Sequence, residues 1–290
     1  MVYISNHRRQ WPVAMLCRVL GVSESGYYKH LRFQNKPDKH ANLLAQIYKL
    51  LKEDDENANY GVRRIYDYLR LKKNYIGSLR TIHRICKEYN LMIHMKRKPN
   101  GITKADAQAQ KSENLIKQDF TAEAPNEKWL TDITEIPCKD GKLYLAAILD
   151  CYDGTIRGFK MADNMQADLC VEAFQRACRD DGAYGMVLHS DRGSQFTSKL
   201  FRTALKKAMA IQSMSSTGRC YDNARMESFF ATLKKEKIYK IDTKSMSMAE
   251  VTTIVYRFIH YYNRRRIYST NGGYPPVIYR ELFYENQLAA

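Results

Sequence analysis

Asp132 lies in the middle of an alternating apolar and polar run, and Asp191 ends the short apolar strand that begins with Met186 to His189. Glu227 lies in a stretch with helical periodicity, with 35 residues (192–226) between it and Asp191. If the chain brings the three together, their charges repel, by about 4 kcal/mol for a pair ~4 Å apart at an effective dielectric of 20. Such a cluster stays ionised only when a divalent cation neutralises it. Hard oxygen ligands that leave places for water and phosphate favour Mg²⁺ or Mn²⁺. Two ions about 3.5–4 Å apart activate an attacking oxygen and stabilise a leaving one in in-line phosphoryl transfer, so two ions per site are expected. Chance is the competing account, because residues 121–230 carry 15 acids and some of them match any given spacing.

The surrounding elements must meet for that chemistry to exist. Trp129 to Ile136 alternates as a strand, and Leu143 to Tyr152 is a mostly apolar second strand with Asp140-Gly141 as the hairpin turn. Residues 156–162 form a third strand, Ala167 to Arg179 a helix, and Met186 to His189 a fourth strand. Ser198 to Ala208 reads as a helix, Ala210 to Met214 as a strand and Asp222 to about Lys237 as a long helix. Three strands, helix, strand, helix, strand, helix is the order of the ribonuclease-H-like α/β fold, a mixed five-stranded sheet with helices. That order brings the three carboxylates together.

Ahead of this core the pattern is all helical. Val13, Leu16, Cys17 and Leu20 keep helical spacing up to Gly21, and Ser23 can cap a following helix with Tyr27 and Leu31. This is helix-turn-helix grammar, shared with an ordinary helical hairpin. Leu43/Leu44, Ile47 and Leu50/Leu51 form a further stripe, then Val62, Ile65 and Leu69 another. Ser78 caps a helix with the buried face Leu79, Ile82, Ile85 and Tyr89. On its other face Arg80, Arg84 and Lys87 sit at i, i+4 and i+7, and the basic run continues through Lys96, Arg97 and Lys98. Such a face grips phosphate or reads a groove, unless it is simply solvated. The expected organisation is a helical DNA-binding region at 1–98, a linker at 99–127, a catalytic core at 128–240 and a helical tail at 241–290.

Charge distribution agrees with a binding region beside a catalytic one. The 290 residues carry a net +16, of which residues 60–104 hold +10 while 121–230 hold −1. The partner expected is a polyanion, most often nucleic acid. The seven cysteines stand singly with no C-x-x-C pair, so neither a zinc knuckle nor a disulfide framework is supported. The longest apolar run has seven residues, Leu143 to Leu149, far short of the ~18 of a membrane span, and no secretory signal opens the chain. A reduced, soluble, cytoplasmic protein is expected.

Three strings carry a specific resemblance: Trp129-Leu130-Thr131-Asp132-Ile133-Thr134, His189 to Ser198, and Gly218 to Lys234. Together they closely resemble the transposases of bacterial insertion-sequence family three, in particular the second-reading-frame product, whose DDE core is like that of retroviral integrases. Tyr60-Gly61-Val62-Arg63-Arg64-Ile65 and the tail residues Tyr261-Tyr262-Asn263 and Arg266 fit too. The resemblance implies that Asp132, Asp191 and Glu227 are the catalytic, metal-binding triad. It also implies that Lys234, seven places after the glutamate and within ~20° of its helix face, grips a DNA phosphate. Asn223, one turn before Glu227 on that face, is a second expected DNA contact. His189, Arg192 and Gln195 are either site residues or turn and packing residues. The tail departs from the family pattern at Tyr268 and Asn271-Gly272.

The expectation is therefore a DNA transposase that nicks the ends of an insertion sequence to free a 3′-hydroxyl and transfers that hydroxyl to target DNA. Its partners would be double-stranded DNA (terminal repeats and target), further copies of the chain in a synaptic complex, and an upstream-frame product or frameshift fusion. It would be bacterial and nucleoid-associated through DNA, with no membrane. The rivals are a DNA-binding regulator of transposition with a silent core, which the intact triad argues against, and a simple metal-dependent nuclease of the same fold, which has no use for the +10 block. A retroviral integrase proper is disfavoured because no His/Cys zinc cluster precedes the core.

Overall fold

The computed structural model describes residues 1–34, 40–93, 112–180, 182–215 and 223–288, which fall into two units, Met1–Lys49 and Leu50–Ala290. In the first unit, α1 (Val2–His7), α2 (Val13–Val19) and α3 (Glu24–Gln34) bury Ile4, Leu16, Cys17 and Tyr27 together. Gly21 takes a left-handed φ of 65° after α2, and the Ser23 hydroxyl accepts from the Gly26 N–H at 3.1 Å at the start of α3. Helix, glycine turn and capped helix are thus built from the residues that announce them. α4 (Ala41–Glu53) follows and buries Ile47 and Leu50.

The second unit continues with α5 (Val62–Lys73) and α6 (Leu79–Glu88). The Ser78 hydroxyl accepts from Thr81 N at 3.3 Å to cap α6, and Ile82, Ile85 and Cys86 are its buried face. Leu79, expected in that stripe, is exposed: as the first helical residue it overhangs the turn that packs. Tyr89, just beyond the helix end, is only half-buried.

The sheet follows: β1 (Lys128–Cys138), β2 (Gly141–Asp150), β3 (Ile156–Ala162), α7 (Ala167–Ala177), β4 (Val187–Ser190), α8 (Ser194–Thr197), α9 (Lys199–Lys207), β5 (Ile211–Met214) and α10 (Ala224–Glu236). α11 (Met248–Arg264) and α12 (Pro276–Leu288) end the described chain. The strand order is β3-β2-β1-β4-β5, antiparallel through the first three and parallel for β4 and β5. This is the mixed five-stranded sheet of the ribonuclease-H-like fold, preceded by an all-helical region. The hairpin turn sits one residue earlier than expected. Cys138 pairs with Gly141, so Lys139 and Asp140 form the loop, and Gly141 opens β2 at a φ of 134°, which suits a residue without a Cβ.

Helices cover both faces of β1. Leu130, Ile136 and Cys138 pack in one cluster with Met226, Phe229 and Leu233 of α10 and Val251 and Phe258 of α11. Trp129 and Ile133 pack in the other, with Leu169 and Phe174 of α7 and Phe201 of α9. Burial along β1 is consequently not a clean alternation, as befits a central strand. Of the expected linker, residues 99–111 lie outside the described residues. Residues 112–115 run beside β5, where Met214 N donates to Glu113 O (3.2 Å) and Leu115 N to Ser213 Oγ (2.9 Å), while Asn126 N donates to Asp150 Oδ2 of β2 (2.8 Å). Ile116 from that segment is buried in the core. No helix among the described residues is long and apolar enough to cross a membrane.

Candidate active site

The parallel ladder between β1 and β4 pairs Lys128 with Val187, Trp129 with Leu188 and Leu130 with His189, and then ends. Two residues past the last pair stand Asp132, still on β1, and Asp191, just beyond the end of β4. Neighbouring strands lie ~4.8 Å apart, so the end of β4 leaves these two carboxylates facing one opening at the sheet's centre. Asp132 shares its face of β1 with Leu130 and Ile136, and that face is covered by α10. Asp191 and Glu227 are exposed and Asp132 is half-buried, so the group opens to solvent.

Electrostatics ties the carboxylates together. Burial, then the charge of Asp191 and more weakly that of Glu227, pushes the Asp132 carboxyl up to about 7; the Ile133 N–H (2.8 Å) and Lys234 oppose the rise. Burial also raises Asp191, against a 2.9 Å bond from the Gly193 N–H, and raises Glu227. Beside the pair, burial and then the Asp191 and Asp132 charges push the Cys170 thiol up to about 12. Among the described residues no arginine or lysine forms an ion pair with Asp132 or Asp191. Nor do any three carboxylate, imidazole or thiol groups among them stand close enough to cage an ion unaided. Hard oxygen donors without an ion-paired cation suit Mg²⁺ or Mn²⁺, ions that keep water and take substrate phosphate as ligands.

α10 supplies the remaining groups. It starts at Ala224, so Glu227 falls in the first turn, where the helix dipole favours a carboxylate. The earlier start expected at Asp222 lies outside the described residues, as does the Gly218–Asp222 end of its string. Lys234 is half-buried; burial lowers its pKa while Glu135 and Asp132 act to raise it, so the ammonium faces the same opening as Asp132. Asn223, expected at DNA, is buried instead, and its amide donates to the Thr131 carbonyl at 3.1 Å. It pins the start of α10 to the strand that carries Asp132. The Arg225 guanidinium donates to Phe120 O (3.0 Å) and to the Cys151 carbonyl, a second fastening.

The other expected residues divide. His189 is fully buried and bridges β4 to β5 through Ser213 Oγ (2.8 Å) and Ser215 Oγ (3.1 Å). Arg192 Nε donates to Ser215 O at 2.6 Å and Gln195 Nε2 to Met165 O at 2.9 Å, which secures the loop after Asp191. Arg80, Arg84 and Lys87 are exposed on α6, opposite its buried residues. Lys96, Arg97 and Lys98 lie outside the described residues.

One arrangement was not anticipated. Glu236, at the end of α10, is buried and receives Arg266 Nε (2.9 Å) and Nη2 (2.8 Å) together with Arg64 Nη1 of α5 (3.0 Å). Burial alone would lift this carboxyl, but Arg266 and Arg64 hold it below the usual range. Its signal was the spacing Phe229, Leu233, Glu236, which continues an apolar stripe onto an acid. A second buried cluster joins Arg280 of α12 to Asp153 (Nε to Oδ2, 2.6 Å) and to Asp150, which also accepts from Trp129 Nε1 at 3.1 Å.

Comparison with known proteins gives the family and the domains of the chain. Residues 122–220 and 210–276 match families described as integrase core domains, and 38–99 match an HTH-like domain. The transposase InsF of insertion sequence IS3A from Escherichia coli K12 is 32% identical over 281 residues, 95% of this chain and 96% of that protein. An uncharacterized 31 kDa protein of insertion element IS600 from Shigella sonnei is 32% identical over 274 residues, 93% of this chain and 99% of its own length. Among solved structures, the HTLV-2 integrase catalytic core in complex with magnesium aligns at 17% identity with a TM-score of 0.42, covering 53% of this chain and 96% of that one. The chain belongs to the IS3 family of insertion-sequence transposases.

Proposed function

We propose that this protein nicks the ends of its insertion sequence and joins the freed 3′-hydroxyls to target DNA, with Asp132, Asp191 and Glu227 as the catalytic carboxylates. The observation that carries the proposal is the pair Asp132, on β1, and Asp191, just past the end of the adjacent β4, with no ion pair to a described cation and with Glu227 and Lys234 on the helix above. These carboxylates would hold Mg²⁺ or Mn²⁺, two ions per site, which when bound neutralise them and polarise the phosphodiester. In the first reaction water attacks phosphorus and the P–O3′ bond breaks, leaving a 3′-hydroxyl on the element. In the second that hydroxyl attacks a target phosphorus and displaces its 3′-oxygen, so no covalent enzyme intermediate forms. Lys234 holds a phosphate beside the reacting one, and Asn223 and Arg225 keep α10 in place through both reactions.

Arg80, Arg84 and Lys87, with Lys96, Arg97 and Lys98, supply the DNA grip outside the site. The DNA is double-stranded, terminal repeats and target alike. Pairing two element ends calls for further copies of the chain in a synaptic complex, with an upstream-frame product or frameshift fusion as an additional partner. The protein would act in the bacterial cytoplasm, at the nucleoid. Purified protein incubated with Mg²⁺ and DNA bearing the element's own ends should give nicked and then joined products. Metal-dependent binding without cleavage, or cleavage that survives Asp132→Asn, refutes the proposal.

A further inference from the structure

Within the second unit a groove of about 510 Å³ separates the start of α5 from the outer side of α10. Its α10 wall is the stripe Ser228, Thr232 and Lys235, one position (about 100°) round the helix from Glu227 and Lys234. Its other wall is Gly61, Arg63 and Arg64, from the Tyr60–Ile65 string that the chemistry at the carboxylates does not use. The charge around it is unbalanced. Arg64 and Arg266 share the single carboxylate of Glu236. Arg63 gives Nε to Asp67 at 3.1 Å yet its side chain stays 62% exposed. Lys235 is exposed and has no acid within ion-pair reach among the described residues. Of the residues that line the groove, three are cations (Arg63, Arg64 and Lys235) and one is a carboxylate (Glu236). Gly61 adds to this: no side chain caps α5 there, and a Cβ at Gly61 would meet nothing within 4 Å, so the first turn of α5 opens onto the groove.

The groove therefore presents guanidinium, ammonium and hydroxyl donors with a surplus of positive charge. We propose that it seats backbone phosphates of the DNA strand leading to the carboxylates, a phosphodiester subsite separate from the basic face of α6. This rests on the reading of the protein as a DNA strand transferase. Such contacts position the strand without reading its bases.

The test compares Lys235→Ala and Thr232→Glu with wild type on a duplex bearing the element's end and on an unrelated duplex of equal length, across a salt series. Lys206→Ala, on an exposed position of α9, is the control for bulk charge. Both groove variants should bind about five- to tenfold more weakly on both duplexes, and Lys235→Ala should flatten the log-affinity against log-salt slope by about 0.9. Lys206→Ala should match wild type. Unchanged affinity and slope in the groove variants, a loss confined to the element's end, or an equal loss in Lys206→Ala would each overturn the subsite. Wild-type protein that binds no DNA overturns the function itself, whereas wild type that binds and cuts beside unaltered variants overturns the subsite alone.

Discussion

Replacing Asp132 with Asn should stabilise the metal-free protein while abolishing its chemistry. Burial and the neighbouring Asp191 and Glu227 charges lift the Asp132 carboxyl from 3.8 to about 7. The folded state then holds this proton more tightly than the unfolded one, so stability falls as pH rises from about 4 to about 7 and stays lowered above that. A rise of about 3 units corresponds to about 4 kcal/mol. Because the carboxyl keeps an edge open to water, screening reduces the recoverable part to about 2 kcal/mol. Asn preserves the shape, and its Oδ1 can still accept the Ile133 N–H. Urea denaturation without divalent ions should show Asp132→Asn about 2 kcal/mol more stable than wild type at pH 8, with the gap closing toward pH 4. Mg²⁺ at about 100 times its Kd should then add about 2.7 kcal/mol to wild type and much less to the variant. A wild-type stability that stays flat from pH 4 to pH 8, or a variant less stable than wild type at pH 8, would show that these carboxylates do not strain one another.

Lys234→Ala should lower end nicking at least tenfold and change stability by no more than about 0.5 kcal/mol, measured by product formation and urea titration side by side; a loss matched by Lys206→Ala would reduce its role to bulk charge. Alanine at Arg80, Arg84 and Lys87 together should flatten the salt slope of DNA binding by up to about 2.7, and an unchanged slope would assign that face to solvent. Arg266→Ala should cost about 3–5 kcal/mol by leaving the buried Glu236 underpaired, whereas Glu236→Gln should cost less. Arg266 and Arg64 hold the Glu236 carboxyl low, so their stabilisation is complete above the ordinary carboxylate range and fades as acid protonates Glu236. A Glu236→Gln variant with the wild-type stability profile in acid would contradict that.

The parts of the fold that repeat with a period were legible: the capped helices at Ser23, Ser78 and Ser198, and the strands flanking Asp132 and Asp191. The hairpin slipped by one residue because pattern alone does not say whether a glycine occupies the loop or opens the strand after it. Asn223 was assigned outward from its place on a helix face, but it sits at the helix start, where its amide meets the Thr131 carbonyl across nearly a hundred residues of chain. Glu236, Arg64 and Arg266 were missed for a related reason, although the stripe Phe229, Leu233, Glu236 pointed to the first of them. Charged residues default to solvent, and only a partner distant in sequence can justify burying them. The site was legible through its strings. Its electrostatics, with Asp132 far more perturbed than Glu227, emerged only from the depth of β1 and the early end of β4.

The buried link from Arg64 through Glu236 to Arg266 also sets a schedule for synthesis. Tyr60 and Arg64 find their partners near residues 236 and 265–267, up to 207 positions later in the chain. At roughly 5–20 residues per second, the ribosome needs on the order of 10–40 s to supply them. Arg64 waits for Glu236 and Tyr60 for Ile267, and the end of α10 waits for Arg266, although Asn223 and Arg225 already fasten its start to earlier parts of the chain. The helices that carry Arg64 and Arg80 are thus complete well before the clamp on Glu236 closes. The fully clamped end of α10 is therefore a late product of synthesis, formed only once Arg266 has left the exit tunnel.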